Sequence, residues 1–393
     1  MTQKTDVIII GAGASGLMCA LEAGKRGRKV LVVDHAKKPG SKVLVSGGGS
    51  CNFTNYYVEP ENFISNNPHF CKSAINRYTQ WDFIEFMNKH NIAFHEREHG
   101  QLFCDGKASQ IVDAIMLECE QVGVAFEFNS KIKEITLTDS GFLLKTPCGN
   151  YRCESLVIAT GGLSIPTIGA SPLGYKIAEQ FNIPVIPPKA GLVPFTLHSE
   201  DKQNFAELSG IAVDAEVSCG ARAFRENILF THRGLSGPAI LQISSYWNPG
   251  DIIEINLLPD CELKNYLRNI KQQGVKKIVR NVLGDLLPDR LVEKLLSTNL
   301  AVKSIQDISN QDIDGIADLF NYWQIKPNGT EGYRTAEVTI GGVDCDYISS
   351  KTMESKNVKA LYFIGEVLDV SGWLGGYNLQ WAWSSGWCAG QAV

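Results

Sequence analysis

Residues 7–16 of the chain read VIIIGAGASG, in which four β-branched residues lead directly into a segment with three spaced glycines. Such an apolar run is typical of a strand covered on both faces of a parallel sheet. Residues 17–27 then predict a helix that ends among basic residues, and residues 29–33 predict a second buried strand with Asp34 at its tip. In this order the first glycine allows a tight turn, the second lets backbone approach a pyrophosphate, and the third lets helix and strand pack closely. The helix N-terminus attracts phosphate and Asp34 can accept ribose hydroxyls, so the segment predicts a dinucleotide-binding βαβ unit.

The composition around this unit is that of an ordinary globular protein. The chain has 393 residues, 44% of them hydrophobic and 20% charged, which is enough for two or three domains. Its net charge is −5, and because proteins that bind nucleic acid or anionic lipid are usually basic, the charge argues against both partners. The 11 cysteines are scattered, odd in number and without a CxxC pair, as expected of thiols kept reduced in the cytoplasm. Neither a signal peptide nor an apolar run of the ~20 residues that span a membrane is found, which predicts a soluble, cytoplasmic protein.

Elements of the same sheet recur far along the chain. Residues 156–162 read as an apolar strand that runs into a glycine turn, residues 360–366 read as another, and a C-terminal helix begins at Leu379. Between them, a strand-like pattern covers residues 191–258 and a helical pattern covers residues 262–323. We therefore predict an α/β fold in which a Rossmann-like domain, residues 1–190 and 345–393, carries an inserted β domain, residues 191–258 and 328–344, with a helical insert, residues 259–327.

Three features favour FAD over NAD as the dinucleotide. The nucleotide-binding unit begins at residue 6, yet its sheet is completed only near the C-terminus. Residues 156–162 end in ATGG, an element that recurs in two-lobed flavoproteins, and residues 363–366, FIGE, end in an acid where a ribityl chain would pass. A helix start at residues 375–378, GGYN, would stabilise negative charge on the pyrimidine edge of a reduced flavin. The sequence has no second GxGxxG, so NADH or NADPH would be a transient donor at the flavin face, or oxygen would reoxidise the enzyme.

Further consecutive motifs run through the chain: KVLVSGGG and CNFTN within residues 42–55, ATGG at 159–162, THRGLSGP at 231–238, VTIGGV at 338–343, GEVLD at 365–369 and GGYNLQ at 375–380. On these residues the chain resembles the BaiN/YhiN-like bacterial flavoproteins, a family of FAD-dependent oxidoreductases. The resemblance implies an FAD-binding Rossmann-like domain of the two-dinucleotide-binding flavoprotein type, an inserted β-barrel-like domain and a helical insert within the latter. It also implies activities as varied as the reduction of unsaturated steroid-like acids and the oxidation of small amines. Ser41 and Ser50 stand where the family usually has arginine, which removes candidate phosphate or substrate contacts.

The motifs and the resemblance together predict which residues bind FAD without a covalent bond. We expect the flavin ring to lie between loop 46–52 and segment 365–380, with the inserted β domain over the substrate pocket and hydride transfer at flavin N5. The candidate FAD-binding residues are Gly11, Gly13, Ala14, Ser15, Gly16, Asp34, His35, Lys42, Ser46, Gly47, Gly48, Cys51, Asn52, Ile132, Ala159, Thr160, Gly161, Gly365, Glu366, Gly376, Tyr377, Asn378 and Leu379.

Two residues are candidates for a catalytic role. His232 is one, because an imidazole can accept or donate a proton and so suits a proton-transfer partner, although a turn histidine bonded to backbone is the plainer alternative. Cys51 lies in the glycine loop, where it would face the substrate or tune the flavin. The alternative for Cys51 is a small buried thiol, and Tyr56 stands where a CxxxxC redox pair would need its second cysteine.

Two other patterns have ordinary explanations. Residues 95–99, HEREH, match the HExxH zinc signature, but the surrounding alternation predicts a strand that enters a hairpin, so we expect no metal site. Six basic residues, which we call the basic run, have no acid between them: Lys264, Arg268, Lys271, Lys276, Lys277 and Arg280. A solvated helix face explains the basic run better than a nucleic-acid surface does.

The sequence therefore predicts an FAD-dependent oxidoreductase that acts on a small organic substrate by hydride transfer. One form of this reaction is the NAD(P)H-linked reduction of an unsaturated compound. The alternatives are a flavin-dependent enzyme that modifies nucleic acid such as tRNA, an amine oxidase that uses oxygen, and an FAD-binding structural or regulatory protein without turnover. The oligomeric state is not indicated by the sequence.

Overall fold

The structure is a computed structural model that describes residues 2–393, and they divide into two compact units. The outer unit runs to Ala190 and resumes over Glu337–Val393, and the inserted unit is Gly191–Ala336. The chain returns to the outer unit before the predicted residue 345. The reason is that strand Val338–Val343 pairs with strand Val185–Gly191 instead of joining the sheet of the inserted unit.

A parallel five-stranded sheet forms the centre of the outer unit. Its strands, in spatial order, are Leu361–Phe363, Ser155–Ile158, Val7–Ile10, Val30–Val33 and Ala125–Glu127. All four residues of the middle strand are buried, as expected for a parallel sheet covered on both faces. The predicted α/β class with a parallel sheet is therefore confirmed.

Two helices, Ala14–Lys25 and Tyr377–Gly390, pack against each other beside this sheet. Gly386 allows the close approach, because a Cβ built there would lie 2.4 Å from Ser15 O. Arg26 fixes the end of the chain by donating to Gly390 O at 2.9 Å and to Val393 O at 2.8 Å. The other helices of this unit are Ser41–Val45, Lys72–Arg77, Gln80–Lys89, Ser109–Gln121 and Leu173–Gln180.

Smaller sheets and turns complete the outer unit. One four-stranded sheet has the order Thr2–Lys4, Asn150–Cys153, Gly141–Lys145 and Glu134–Thr138. A three-stranded sheet has the order Asn52–Asn55, Gln101–Cys104 and Phe94–Glu96, and Phe63–Ile64 pairs with Ser371–Gly372. Short 3₁₀ turns are Ser46–Gly49, Pro60–Asn62, Glu98–Gly100, Pro166–Ile168, Cys345–Tyr347 and Gly365–Val367.

The inserted unit is built on a seven-stranded antiparallel sheet. Its order is Trp323–Ile325, Ile253–Asn256, Ala212–Cys219, Arg222–Phe230, Gly234–Ser236, Phe195–Thr196 and Gly329–Thr330. Helix Pro238–Ser244 packs on this sheet, and the remaining helical segments are Ser199–Asn204, Ala206–Leu208, Leu263–Gln272, Val279–Gly284, Asp289–Leu295, Thr298–Ala301 and Asn310–Asn321.

Five of these helices lie between strands Ile253–Asn256 and Trp323–Ile325. The second strand falls inside residues 259–327, the range predicted as helical. Three residues are too few to show a strand period, and their pairing partner lies about seventy positions earlier in the chain. Over residues 2–393, no helix is both long enough and apolar enough to cross a bilayer.

Glu118 on helix Ser109–Gln121 is a buried carboxylate surrounded by cations. It is 5% exposed, lies 2.7 Å from His90 Nε2 and 3.5 Å from Lys25 Nζ, and accepts a hydrogen bond from Lys89. Burial raises the pKa of Glu118, but the hydrogen bonds from Lys89 and His90 and the charge of Lys25 outweigh burial, so the pKa is lowered overall. A lowered folded-state pKa means that the carboxylate stabilises the fold above the unfolded pKa of about 4.3, and that this contribution is lost as the pH falls through the folded pKa.

We therefore expect Glu118→Gln to lower the free energy of unfolding at pH 7 by about 1–2 kcal/mol, because Lys89 and Lys25 are partly solvated. Urea titrations at pH 7 and at about pH 3 measure this, and the difference from the unmodified protein should shrink at the lower pH. Glu120→Gln on the same helix is the control, since Glu120 is exposed. An equal loss at both pH values would contradict the electrostatic explanation.

Candidate FAD-binding site

Three glycine-containing loops meet at one edge of the central sheet. They follow the neighbouring parallel strands Val7–Ile10, Ser155–Ile158 and Leu361–Phe363, whose carboxyl ends lie side by side. A Cβ at Gly11 would lie 2.3 Å from Ala159 O, and a Cβ at Gly365 would lie 2.5 Å from Ser15 Oγ. The structure thus brings together the candidates of residues 11–16, 159–161 and 365–366.

The three glycines of the first loop are needed for different reasons. Gly11 has φ +113°, and a Cβ at Gly16 would lie 1.9 Å from Gly11 O, so both are required by the packing of the protein itself. Gly13 is different, because a Cβ built there meets nothing within 4 Å. An open space beside backbone N–H groups fits a pyrophosphate, and we take this as evidence that the residues present suit a dinucleotide.

Both helices at this edge begin directly after a glycine. Ala14–Lys25 follows Gly13, and Tyr377–Gly390 follows Gly376, which has φ +95°. Neither helix has a side-chain cap or an acidic residue in its first turn. The positive ends of both helix dipoles are thus not neutralised by a carboxylate of their own first turn, which suits phosphates at the first helix and a reduced flavin at the second.

Asp34 orients the loop that would hold the ribose. Its Oδ2 accepts from Ala12 N and its Oδ1 accepts from Ala36 N, both at 2.7 Å. His35 Nδ1 lies 3.4 Å from Asp34 Oδ1, and Ile132 lies two positions after Ser130, whose N–H donates to Asp34 O at 2.9 Å. A carboxylate has room for further donors beyond these two bonds, so ribose hydroxyls remain compatible with it.

Thr160 has a buried hydroxyl that finds no hydrogen-bond partner among residues 2–393. The hydroxyl lies against Gly174, where a Cβ would come within 2.3 Å of it. A buried polar atom without a partner costs free energy, which a polar atom of a bound ligand would recover. This is a second observation that fits a bound cofactor.

The loop at residues 46–52 reaches the start of the C-terminal helix. Gly47 and Gly48 have φ +54° and +68°, and Ser46 Oγ donates to Val43 O at 2.8 Å. With its side-chain amide turned to suit its neighbours, Asn52 accepts from Gly376 N at 3.1 Å. The two segments expected on either side of the flavin ring are therefore in contact.

The side chains at the start of this helix are engaged within the protein. Asn378 Oδ1 accepts from Gly372 N at 2.8 Å and its Nδ2 donates to Gly372 O at 2.9 Å, which closes a turn. The Tyr377 ring is buried and lies edge-on to Phe63, and Leu379 is half-buried. The start of this helix therefore offers a ligand its backbone and dipole more than its side chains.

Lys42 and Glu366 form an ion pair. The sequence predicted both as FAD-binding residues but did not indicate that they contact each other. Lys42 Nζ donates to Glu366 Oε2 at 2.7 Å, to Glu366 Oε1 at 2.8 Å and to Ser164 Oγ at 2.6 Å. Thr339 N donates to Glu366 Oε1 at 2.8 Å, and Thr339 Oγ1 accepts from Leu163 N at 2.8 Å. Ser164 and Thr339 were missed as site residues. Thr339 stands in the VTIGGV motif, but nothing in that motif indicates its distant partner.

Comparison with known proteins identifies the family. A family model described as "HI0933-like protein Rossmann domain" matches residues 5–392. The chain belongs to this family.

The chain is similar over nearly its whole length to proteins with two different names. A protein of Escherichia coli (strain K12) named ribosomal RNA dihydrouridine synthase is 54% identical over 391 residues, 99% of this chain and 98% of that protein. A protein of Clostridium scindens named 3-dehydro-bile acid delta(4,6)-reductase is 24% identical over 98% of both chains. A solved quinol-fumarate reductase with menaquinol shares the fold, with a TM-score of 0.51 and 14% identity over 99% of this chain and 70% of that one. The predicted resemblance is confirmed, and the chain is an FAD-dependent oxidoreductase.

Cys51 is fully buried, with φ +50°. Burial raises the pKa of its thiol to about 12, so the nucleophilic thiolate is scarce at neutral pH. This placement favours the packing alternative over a redox or substrate-facing role.

We expect iodoacetamide at pH 8 to label exposed Cys148 and to leave Cys51 unlabelled in the folded protein. Peptide mass mapping before and after unfolding in urea measures both sites, and Cys51 should react only after unfolding. Labelling of Cys51 at the rate of Cys148 in the native protein would restore it as a reactive candidate.

His232 lies exposed in the turn between strands Arg222–Phe230 and Gly234–Ser236. Its neighbour Arg233 pairs with Glu331 at 3.1 Å. His232 belongs to the inserted unit, whereas the candidate FAD-binding residues belong to the outer unit. Its part in proton transfer stays a prediction, as does the inserted unit's place over the substrate.

The HExxH pattern does not lie on one helix. His95 is in strand Phe94–Glu96, where its Nδ1 lies 2.5 Å from Asp105 Oδ1, and His99 is in the following turn with φ +58°. A zinc site of this type needs both histidines on one helical face. Within the described part of the chain, no three His, Cys, Asp or Glu side chains come together as a metal site would require.

Proposed function

We propose that this protein uses FAD to reduce a carbon–carbon double bond conjugated to a carbonyl group, and that its substrate is a uridine of ribosomal RNA. The observation that carries the proposal is the 54% identity, over 99% of the chain, to the Escherichia coli protein named ribosomal RNA dihydrouridine synthase. That match spans both units and every segment that holds a candidate FAD-binding residue.

The chemistry is common to both kinds of relative. In uridine the C5=C6 bond is conjugated to the C4 carbonyl, so a hydride added at C6 and a proton added at C5 give dihydrouridine. The name of the Clostridium scindens relative also describes the reduction of double bonds in an unsaturated acid. Bound FAD, once reduced by an electron donor such as NADH or NADPH, would supply the hydride for such a reaction.

The residues of the chain would then bind FAD and orient its flavin ring. Backbone N–H groups at Gly13 and in the first turn of Ala14–Lys25 would bind the pyrophosphate, and Asp34 would accept the ribose hydroxyls. The start of helix Tyr377–Gly390 and loop 46–52 would flank the flavin ring. The positive end of that helix dipole would stabilise negative charge on the pyrimidine edge of the flavin.

A small unsaturated acid is the second candidate substrate, and the charges of the inserted unit favour it. Most of the basic run is already paired. Lys264 and Arg268 both contact Asp314, at 3.0 and 3.3 Å. Lys277 contacts Asp285 at 2.6 Å and Arg280 contacts Glu293 at 2.8 Å. Cations neutralised in this way contribute little to binding phosphates, and the net charge of −5 also suits a small substrate.

The experiment is anaerobic reduction of ribosomal RNA transcribed in vitro, which carries no modification, by the FAD-loaded protein with NADH, NADPH or dithionite as donor. Nuclease fragments are analysed by mass spectrometry. We expect one uridine to gain two hydrogen atoms, and the Gly13→Val variant to give no product. Consumption of an unsaturated acid without any change in the RNA would select the second candidate. No product from either substrate would contradict the proposed function.

A further inference from the structure

Two aromatic side chains of the outer unit, Tyr57 and Trp81, are exposed, and a third, Tyr56, is half-buried; we call the three the aromatic platform. Tyr57 is 65% exposed and Trp81 is 57% exposed. The Tyr56 ring stacks on Trp81 with centroids 5.5 Å apart and planes 29° from parallel. Single exposed apolar residues are ordinary, but a stacked Tyr56–Trp81 pair with exposed Tyr57 next to it in the chain is a candidate binding surface.

Two hydrogen bonds between side chain and backbone hold the segment that carries Tyr56 and Tyr57. Tyr57 N donates to Asn55 Oδ1 at 2.9 Å, and Gln80 Nε2 donates to Tyr56 O at 2.9 Å. Gly100 has φ +73°, and a Cβ there would lie 2.5 Å from Tyr57 Cδ2, so the ring rests directly on the hairpin turn. Rings fixed in this way lose little conformational entropy when a flat ligand stacks on them.

The aromatic platform is continuous with the candidate FAD-binding site. Asn55 is 1% exposed, and its Nδ2 donates to Gly375 O at 2.9 Å and to His99 O at 3.0 Å. Gly375 directly precedes Gly376, the N-cap of helix Tyr377–Gly390, and a Cβ at Gly375 would lie 3.1 Å from Gln101 Cγ. One buried amide therefore ties the aromatic platform to the segment expected to flank the flavin ring.

We propose that the aromatic platform stacks unpaired nucleobases of the RNA substrate, next to the uridine that is reduced; this rests on the proposed function. Chemistry on a base requires that base to leave its stack, which deprives its neighbours of a stacking partner. Aromatic side chains accept any base on their π faces, and each such contact strengthens binding about 5- to 150-fold. The aromatic platform thus supplies affinity for RNA that does not depend on the paired cations of the basic run.

The test uses the oxidised FAD-loaded protein and a fluorescently labelled single-stranded oligouridine, with no electron donor. Anisotropy gives Kd for Tyr57→Ala, Trp81→Ala and the double variant, while flavin absorbance verifies that FAD stays bound. We expect each single change to weaken binding about 10-fold and the double change to weaken it further. Tyr57→Phe should bind nearly as tightly as the unmodified protein, because it keeps the ring. Tyr322→Ala is the matched control, since Tyr322 is 54% exposed on the inserted unit.

Several results would overturn the proposal that the aromatic platform stacks nucleobases. They are an unchanged Kd in the alanine variants, a Tyr57→Phe variant as weak as Tyr57→Ala, or no measurable binding by the unmodified protein. Altered sedimentation of the protein alone, with RNA binding unchanged, would show a protein–protein surface instead. Because the binding test involves no turnover, its outcome can be distinguished from the outcome of the test of the proposed function. Uridine reduction with unchanged binding in the variants rejects only the aromatic platform, and ring-dependent binding without uridine reduction rejects only the proposed function.

Discussion

A Gly13→Val variant should fold normally and lose its FAD. Gly13 has φ −82° and ψ −174°, an extended conformation that valine adopts readily, and a Cβ there meets no protein atom within 4 Å. The free energy of unfolding of the apoprotein should therefore change by no more than about 1 kcal/mol. The added side chain would occupy the space assigned to the pyrophosphate. We expect Kd for FAD to rise at least about 100-fold, which corresponds to about 2.7 kcal/mol.

Gly16→Ala is the matched comparison, only three positions away. Its Cβ would lie 1.9 Å from Gly11 O, so the backbone has to move even without FAD. We expect the free energy of unfolding to fall by more than about 3 kcal/mol, with FAD binding lost as a consequence. Urea unfolding of the apoproteins and flavin fluorescence titrations separate the two variants. A Gly13→Val protein that keeps FAD at the original affinity would show that the dinucleotide does not pass this glycine.

The second large effect is expected at Glu366. Its carboxylate is 18% exposed and accepts from Lys42 Nζ, Thr339 N and Ser164 Oγ, at distances of 2.7–3.2 Å. Glu366→Ala removes an acceptor that joins three segments far apart in sequence, although the hydrogen bonds from Lys42 to Ser164 and from Leu163 to Thr339 remain. We expect a loss of about 2–4 kcal/mol in the free energy of unfolding, together with the loss of FAD binding.

Lys42→Met distinguishes a structural carboxylate from a simple ion pair. Glu366 then keeps Thr339 N and Ser164 Oγ, and the Lys42 side chain is 38% exposed, so the loss should be only about 1 kcal/mol. Thermal and urea unfolding with and without FAD measure both variants. Equal losses in the two variants would mean that the charge pair, and not the hydrogen bonds to Thr339 and Ser164, accounts for the effect.

The parts of the site that could be predicted are those that depend on residues close together in the sequence. Val7–Ile10 is buried along its whole length because β-branched residues suit a covered parallel strand. Gly16 is required by its contact with Gly11 O in the same loop, and Gly11 has φ +113°, so the spacing of the glycines predicted the turn. The strands at 155–158 and 361–363 were predicted in the same way, since each is an apolar run that ends in glycine.

What escaped prediction depends on partners that are distant in sequence. Strand Val338–Val343 is buried along its whole length, so its pattern does not indicate a sheet, and only its pairing with Val185–Gly191 places it in the outer unit. Thr339 holds Leu163 and Glu366 through one hydroxyl and one N–H, and hydrogen bonds of this kind leave no periodic signal. Asn55 is similar, because its two acceptors, on His99 and Gly375, become neighbours only in the folded chain.

The helix of the first βαβ unit, Ala14–Lys25, is packed against helix Tyr377–Gly390. Gly386 lies on Ser15, and Arg26 donates a hydrogen bond to Val393 O. Ser15 and Gly386 are 371 positions apart in the sequence, so the first turn of helix Ala14–Lys25 rests on a residue of a very distant segment. A bulkier side chain at Gly386 would therefore displace Ser15 and, with it, the backbone N–H groups proposed to bind the pyrophosphate.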